Sequence, residues 1–211
     1  MNLYRTIVRI SVRFRKKTDR NAAMRAARKT LRAISKRILL EEKIKLDGSV
    51  QQFNIEYVGT YANSSKESFV VGKWVAQEAS YGLSPQSYSF GVWPLSTDAI
   101  WGAYRIHLPN DELVCYRFDC VERIEFKDDG DAARVSFRDL ILDARVYDRD
   151  RPRVVLEDEK EAKEVINAGL LRPDQIGRIT TFKRHMQSIQ EIDRILSLVD
   201  EAIRGVASKP A

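Results

Sequence analysis

Short segments with the alternation of β-strands, separated by tight turns, fill the middle of the chain and constrain its fold more than any other feature. Apolar and polar residues alternate there with the period of two that a strand requires. The predicted strands lie near residues 43–46, 52–61, 68–77, 88–93, 100–107, 113–121, 132–137 and 139–148. Turn residues join several of them, at Asp47-Gly48, Pro109-Asn110-Asp111 and Asp128-Asp129-Gly130. Many short strands joined by tight turns predict an antiparallel barrel or a strongly curved sheet.

Helical periodicity replaces the strand pattern in the last third of the chain. A short helix is predicted over residues 158–168, with Gly169 as its C-cap, and a longer helix runs from Pro173 to about residue 204. The apolar stripe of the longer helix consists of Ile176, Ile179, Phe182, Met186, Ile189, Ile192, Leu196, Val199 and Ile203. This stripe favours packing on the sheet, and a coiled-coil seam with a partner is the alternative. The predicted fold class is α+β, a twisted antiparallel β-barrel with C-terminal helices.

Positive charge is concentrated at the N-terminus of the 211-residue chain. Residues 1–40 hold 13 of the 36 Lys and Arg residues and one acid, Asp19, whereas the rest holds 23 basic and 29 acidic residues. Residues 8–15 alternate as a strand with one basic face, and Asp19 can cap a helix over about residues 20–40. We therefore divide the chain into a basic strand-helix arm, 1–40, and a barrel domain with C-terminal helices, 41–211. The arm could bind nucleic-acid phosphates, be a solvated basic face, or be an organelle-targeting peptide.

Composition and residue usage argue against several other classes. No apolar run is long enough to span a bilayer and the N-terminus lacks the apolar core of a secretory signal, so a soluble, cytoplasmic protein with no membrane partner is expected. Cys115 and Cys120 would face opposite sides of one strand, which disfavours a disulfide, and alone they build no zinc site. His107 and His185 form no legible pair with a nucleophile, and His107 is predicted at the surface beside a turn.

Acidic residues in the second half form the best candidate for a functional site. Asp139 and Asp143 are four apart on one predicted strand and share its polar face, and Asp119 lies on the preceding strand. Asp158 and Glu161 are three apart at a helix start, where acids also complement the helix dipole. Converging carboxylates repel one another unless a cation is present, and Mg²⁺ binds such oxygens together with substrate phosphates. The pattern predicts a divalent metal site.

Several blocks of the chain resemble the FomD-like nucleoside di- and triphosphate phosphatases, over about residues 42–204. The blocks are Val92-Trp93-Pro94, Ala103-Tyr104-Arg105-Ile106, Tyr116-Arg117-Phe118-Asp119, Phe137-Arg138-Asp139-Leu140-Ile141-Leu142-Asp143, Val155-Leu156-Glu157-Asp158-Glu159-Lys160-Glu161 and Ala168-Gly169-Leu170. Their order and spacing are more specific than any one of them. The resemblance implies a twisted antiparallel barrel flanked by C-terminal helices, which agrees with the strand pattern.

The resemblance also implies one or two Mg²⁺ or Mn²⁺ ions, and the chain departs from the family at defined positions. The implied metal ligands are Asp119, Asp139, Asp143, Asp158 and Glu161. Asp119 stands where the family has an Asn, and Ile141 replaces the middle member of three alternating Asp residues. Gln52 falls where the family carries an Arg thought to donate a proton, and glutamine cannot protonate a leaving oxygen.

The function predicted from these observations is metal-dependent hydrolysis of a nucleoside di- or triphosphate or a related phosphate ester. The alternative is a catalytically degenerate RNA-binding module or interaction protein on the same scaffold. The resemblance favours RNA as the ligand, because barrels similar to this one are also found attached to ribonuclease-like proteins. Trp74, Trp93 and Trp101 are candidates to stack a base, although aromatic residues on strands belong more often to the core. Tyr104 and Arg105 would approach a nucleotide only if their strand faces the acidic cleft. The substrate base, the number of metals, the catalytic residue and the oligomeric state are not specified by the sequence.

Overall fold

The computed structural model describes residues 37–79, 82–130 and 132–208, which form eight strands and three helices. The strands are β1 (Ile38–Ile44), β2 (Val50–Ala62), β3 (Ser68–Val75), β4 (Tyr88–Pro94), β5 (Trp101–His107), β6 (Leu113–Asp128), β7 (Ala133–Tyr147) and β8 (Arg153–Glu157). The helices are α1 (Glu159–Asn167), α2 (Pro173–Gln187) and α3 (Ile189–Ala207). None of the described helices is both long and apolar enough to cross a membrane. Most of the predicted basic arm, residues 1–36, lies outside the described residues.

The strands close into a barrel. Consecutive strands pair antiparallel from β1 to β8, and β1 also pairs with β7 in parallel, which closes a seven-stranded ring. The predicted α+β barrel with C-terminal helices is therefore confirmed, and its closing pair is parallel. An alternation of period two is common to both kinds of pairing, so the sequence pattern could not distinguish them.

Strand β7 changes its neighbour halfway along its length. Residues 133–138 pair with β1, whereas residues 143–147 pair with β8. Between these stretches the ladder with β6 is irregular, because residues 119–121 of β6 face residues 139–143 of β7. Ile141 takes a left-handed backbone conformation there, with φ of 74°. The strands predicted separately at 132–137 and 139–148 are thus one strand with a bulge at the point where its partner changes.

The barrel has two apolar faces with different roles. Its inner cluster consists of Leu39, Ile55, Val70, Trp93, Val121, Ala133, Val135 and Phe137. Its outer surface packs on the helices through residues such as Phe118, Leu140 and Leu142, which meet Phe182 and Leu196 in a second cluster. The helical stripe predicted to pack on the sheet belongs to this second cluster, except for Ile189, which is 68% exposed. Both cysteines are buried and free, as expected.

Several element boundaries differ from those predicted. The helix predicted from Pro173 to about residue 204 is two helices, because Ser188 is extended (φ −101°, ψ 114°) and its Oγ accepts a hydrogen bond from the Glu191 amide. The apolar stripe continues through the break, so periodicity gave no sign of it. Strand β1 begins at Ile38, before the predicted end of the helix of the basic arm.

Candidate active site in the barrel mouth

Inward-facing side chains change from apolar to charged as the strands approach one end of the barrel. On β1 the buried positions are Leu39, Glu41 and Lys43 in turn. On β6 and β7 the apolar Val121 and Phe137 are followed at that end by aspartates. Because alternate residues of a strand share a face, each strand contributes its charged residues to the same space. We call this space the barrel mouth, and its charged residues are Glu41, Lys43, Lys45, Arg117, Asp119, Asp139 and Asp143.

The structure brings three of the predicted site residues together in the barrel mouth. Asp119 on β6 is paired directly with Asp143 on β7, and Asp139 lies on the other side of the bulge. Their exposed fractions are 1%, 5% and 4%. Buried carboxylates at such low exposure require compensating charge or hydrogen bonds. The polar face that Asp139 and Asp143 were predicted to share therefore looks into the barrel.

The compensating charge comes from three basic side chains of the chain itself. Lys43 Nζ lies 2.8 Å from Asp119 Oδ2 and 3.2 Å from Asp139 Oδ2. Lys45 Nζ lies 2.6 Å from Asp139 Oδ2, and Arg117 Nη2 lies 2.5 Å from Asp143 Oδ2. Sequence reasoning missed these residues as part of the site. The signal for the lysines was present, because Glu41, Lys43 and Lys45 alternate and so share the face of Leu39.

The three aspartates differ in how completely they are satisfied. Asp139 receives both lysines at Oδ2 and the Ile141 amide at Oδ1, 3.0 Å away. Asp119 Oδ1 and Asp143 Oδ1 are buried without a hydrogen-bond partner among the described residues. Asp119 Oδ1 lies 3.1 Å from Arg117 Nε, but that nitrogen is also without a hydrogen bond there. The direct cross-strand pair therefore retains unused acceptor capacity.

The pKa values of Asp143 and Asp139 are shifted in opposite directions. Burial, and secondly the charge of Asp119, raise the pKa of Asp143 to about 7. Burial also opposes ionisation of Asp139, but Lys43 and Lys45 outweigh it and hold the pKa of that carboxyl below its usual range. The neighbouring cations therefore do not offset the burial of Asp143, whereas they more than offset that of Asp139.

An aromatic cavity of about 320 Å³ opens on one side of the basic residues. Its wall is mostly apolar and includes Phe53, Ile55, Trp74, Leu83, Tyr104 and Ile106. Glu41, Lys43, Lys45, Arg117 and Asp119 form its charged part. The Tyr104 hydroxyl donates a hydrogen bond to Glu41 Oε1. Burial raises the pKa of Glu41 to about 7 in spite of this bond.

An acidic cavity of about 670 Å³ lies on the other side, where β7 passes from β1 to β8. Asp139, Ile141, Asp143, Asp158 and Glu161 line it together with Lys43, Lys45 and Arg117. Asp158 precedes helix α1 with φ of 62° and forms no side-chain cap, so its carboxylate does not serve the helix end. The predicted residues Asp158 and Glu161 are exposed and stand apart from Asp119, which lines the aromatic cavity.

The donor set fits a divalent cation at two carboxylates. No group of three or more His, Cys, Asp or Glu among residues 37–79, 82–130 and 132–208 is arranged to hold a metal ion. The Oδ1 atoms of Asp119 and Asp143 accept no hydrogen bond among the described residues, and they fit Mg²⁺, which is commonly bound by one or two carboxylates with water and substrate phosphates. Metal binding by all five predicted carboxylates stays a prediction.

The other residues singled out in the sequence differ in whether they reach the aromatic cavity. Gln52 is exposed and donates to Glu42, 2.7 Å away, while its neighbour Gln51 lines the aromatic cavity. Tyr104 faces this cavity, but Arg105 points to Asp200, with 3.5 Å between Nε and Oδ1.

The surface prediction for His107 is wrong. The residue is buried, its ring stacks on Tyr88 with centroids 4.9 Å apart, and Nδ1 lies 2.9 Å from the Asp111 carbonyl oxygen. Its neighbouring turn folds over it, which proximity to a turn in sequence did not indicate. Trp93 and Trp101 belong to the core, whereas Trp74 lines the aromatic cavity.

Comparisons with known proteins give partial structural similarities to six solved chains, two of which are the following. No protein-family model and no curated protein matches the chain. A structure of the phosphatase SC4828 with the non-hydrolysable nucleotide GPCP is similar at a TM-score of 0.41 and 15% identity, over 70% of this chain and 78% of that chain. A structure of FomD with CDP is similar at a TM-score of 0.49 and 10% identity, over 82% of this chain and 92% of that chain. Similarity at this level assigns neither an activity nor a ligand to this chain.

Proposed function

We propose that the barrel domain binds a nucleoside di- or triphosphate in the barrel mouth and hydrolyses one of its phosphate bonds with the aid of a divalent cation. The observation that carries this proposal is the position of Lys43, Lys45 and Arg117, which line both cavities. These three basic side chains lie between the aromatic cavity and the acidic cavity. A ligand with a flat ring, a row of phosphates and an accompanying cation matches that order of surfaces.

Two of the basic side chains are accessible to a phosphate. The side chains of Lys45 and Arg117 are 35% and 32% exposed, whereas that of Lys43 is 9% exposed. The guanidinium has five N–H donors, of which one on Nη2 of Arg117 is used by Asp143 and the one on Nε lies near Asp119. Charge-assisted hydrogen bonds from such groups to phosphate oxygens are short and strong. Lys45 and Arg117 would therefore hold the phosphate chain, while Lys43 holds the carboxylates in place.

The aromatic cavity supplies a place for the rest of the ligand. Phe53, Trp74 and Tyr104 offer ring surfaces, and Glu41 and Ser89 offer polar groups among them. Small-molecule sites are typically concave, largely apolar and furnished with a few polar groups that fix orientation. This composition suits a nucleoside better than a fully hydrophilic phosphate ester.

A Mg²⁺ or Mn²⁺ ion would be held by Asp119 and Asp143. Such an ion, when bound, neutralises charge on phosphate oxygens and lowers the pKa of an attacking water. Asp158 and Glu161 stand on the acidic cavity with Asp143, where they would contact the water around the ion or complete its ligand set. The exposed Gln52 lies away from the barrel mouth, so it offers no group to the reaction in this arrangement.

Phosphate release from a panel of nucleoside di- and triphosphates tests the proposal. We expect release with Mg²⁺ or Mn²⁺ and none with EDTA. Lys45→Gln removes a charged phosphate donor, so release at low substrate concentration is expected to fall about 10- to 100-fold. Lys127→Gln changes an exposed lysine on β6 and serves as the matched control, with unchanged activity expected. Neither release nor binding of any nucleotide by the folded protein would reject the proposal.

A further inference from the structure

The three aspartates of the barrel mouth differ in whether both oxygens of the carboxylate accept hydrogen bonds. Asp139 has a partner at each oxygen, namely the two lysine ammonium groups at Oδ2 and the Ile141 amide at Oδ1. Asp119 Oδ1 and Asp143 Oδ1 are buried and accept no hydrogen bond among the described residues, although Arg117 Nε lies 3.1 Å from Asp119 Oδ1. Such orphaned acceptors are rare in proteins and point to a group that arrives from outside.

We infer that Lys43 and Lys45 act in place of one metal ion, so that the site binds a single divalent cation at Asp119 and Asp143. In this arrangement Lys43 neutralises the buried carboxylates, and the partly exposed Lys45 neutralises Asp139 and the substrate phosphate. The inference rests on the proposed function for the identity of the substrate, but the cation site can be measured without turnover.

Lys43 is fixed too firmly to be displaced by a second ion. Its side chain is 9% exposed and contacts both Asp119 and Asp139. Moving the ammonium group aside would leave a buried charge without its partners, which is strongly unfavourable. Lys45 reinforces the same oxygen of Asp139 and is itself partly exposed, so it can serve the carboxylate and a phosphate together.

At the bulge in β7, Ile141 offers no metal ligand beside Asp139. Ile141 stands between the two aspartates, lines the acidic cavity and brings an apolar side chain to it. Its left-handed backbone turns the amide N–H toward Asp139 Oδ1. A carboxylate that already accepts hydrogen bonds from the Ile141 amide and Lys45, with Lys43 3.2 Å away, has little capacity left for a metal ion. The side of the cavity at Asp139 is therefore built as an anion-binding surface.

The number of bound ions tests this inference directly. Mn²⁺ binding to the full chain is measured by calorimetry and by the electron paramagnetic resonance signal of free Mn²⁺, with and without a non-hydrolysable nucleoside diphosphate analogue. We expect about one ion per chain, bound more tightly when the analogue is present. Two ions per chain would overturn the inference, and so would no binding under either condition.

A matched pair of substitutions on β7 locates the ion. Asp143→Asn removes a proposed ligand and is expected to weaken Mn²⁺ binding at least about tenfold. Asp139→Asn changes an equally buried carboxylate on the same strand and is expected to leave about one ion bound, with a clearly smaller loss of affinity. An equal loss in both variants would contradict the inference. The number of Mn²⁺ ions bound by the unsubstituted chain tests the inference even if one variant fails to fold.

The outcomes separate this inference from the proposed function. Two ions per chain with intact metal-dependent hydrolysis would reject the single-cation arrangement and leave the phosphohydrolase proposal standing. One ion lost in Asp143→Asn, together with no nucleotide binding or hydrolysis, would support the cation site and reject the proposed substrate.

Discussion

At the residue scale, burial controls the protonation of Glu41 more than any neighbouring charge does. The carboxyl is 5% exposed and accepts a hydrogen bond from Tyr104. Burial raises its pKa from 4.5 to about 7, although the hydrogen bond and Lys43 act in the opposite direction. A carboxyl of this kind is half ionised near the pH of the cell, so it makes the stability of the barrel dependent on pH.

Glu41→Gln should reveal this dependence. The folded chain holds a proton at Glu41 more tightly than the unfolded chain between pH 4.5 and about 7, so stability from this group is greatest below pH 4.5 and falls as pH rises. Glutamine keeps an acceptor for Tyr104 but does not titrate. Relative to the unsubstituted chain, the variant should gain about 2 kcal/mol more at pH 8 than at pH 5, measured by urea unfolding. The exposed Glu125→Gln is the control, and the same pH dependence in both variants would contradict the explanation.

Lys43 and Lys45 differ in burial, and their removal should differ in consequence. Burial alone would lower the pKa of Lys43, but Asp119 and Asp139 raise it above its usual range. Lys43→Gln leaves buried carboxylates without their shared cation and should reduce the free energy of unfolding by about 3 kcal/mol. Lys45→Gln removes a partly exposed partner of Asp139 and should reduce it by about 1 kcal/mol. Denaturant unfolding measures both, and equal losses would contradict the assignment of Lys43 as the structural cation.

At the element scale, β7 shows what a strand pattern can and cannot indicate. Alternation predicted that Asp139 and Asp143 share a face, and both do face the barrel mouth. The pattern did not predict that β7 exchanges β1 for β8 between them, because pairing partners depend on register with distant strands. For the same reason the contact of Lys43 with Asp139 could not be predicted from the strand pattern. The helix break at Ser188 was missed because neither proline nor glycine marks it.

Helices α2 and α3 each carry a glycine, and the two provide a test of helix packing on the barrel. A Cβ at Gly205 of α3 would lie 2.1 Å from Cδ2 of Tyr61, whose hydroxyl donates to Glu201 at 2.6 Å. Gly205→Ala should therefore lower stability by about 1–2 kcal/mol, because the displaced ring outweighs the better helix propensity of alanine. Gly177 on α2 has no atom within 4 Å of such a Cβ, so Gly177→Ala should raise stability by about 0.5–1 kcal/mol. Thermal unfolding distinguishes the two, and stabilisation by both would contradict close packing of α3 on β2.

At the scale of the whole molecule, the predicted barrel and its helices were confirmed because each rests on local periodicity. The location of Asp119, Asp139 and Asp143 in one space also followed from strand alternation. The contacts of Lys43 and Lys45 with these aspartates did not, because closure of β1 on β7 is a long-range parallel pairing. The charged barrel interior thus combines residues of three strands, and the contact of Lys43 with Asp139 depends on the ring being closed.

RNA binding by the basic arm, the alternative function, is a prediction about the full chain. Residues 1–40 hold 13 basic residues against one acid, and neutralised phosphates release counterions. If about five phosphates of a single strand are neutralised, affinity should fall about 100-fold between 50 and 200 mM salt. Replacing Arg25, Arg28, Lys29, Arg32 and Lys36 by Gln should remove most of this dependence, measured by fluorescence anisotropy with a labelled RNA. The same replacement of Lys66, Lys127, Arg151, Lys160 and Lys163, all exposed, is the matched control. Undetectable or salt-insensitive binding by the unsubstituted chain rejects the alternative, and equal losses in both sets would place the RNA on the barrel domain instead of the arm.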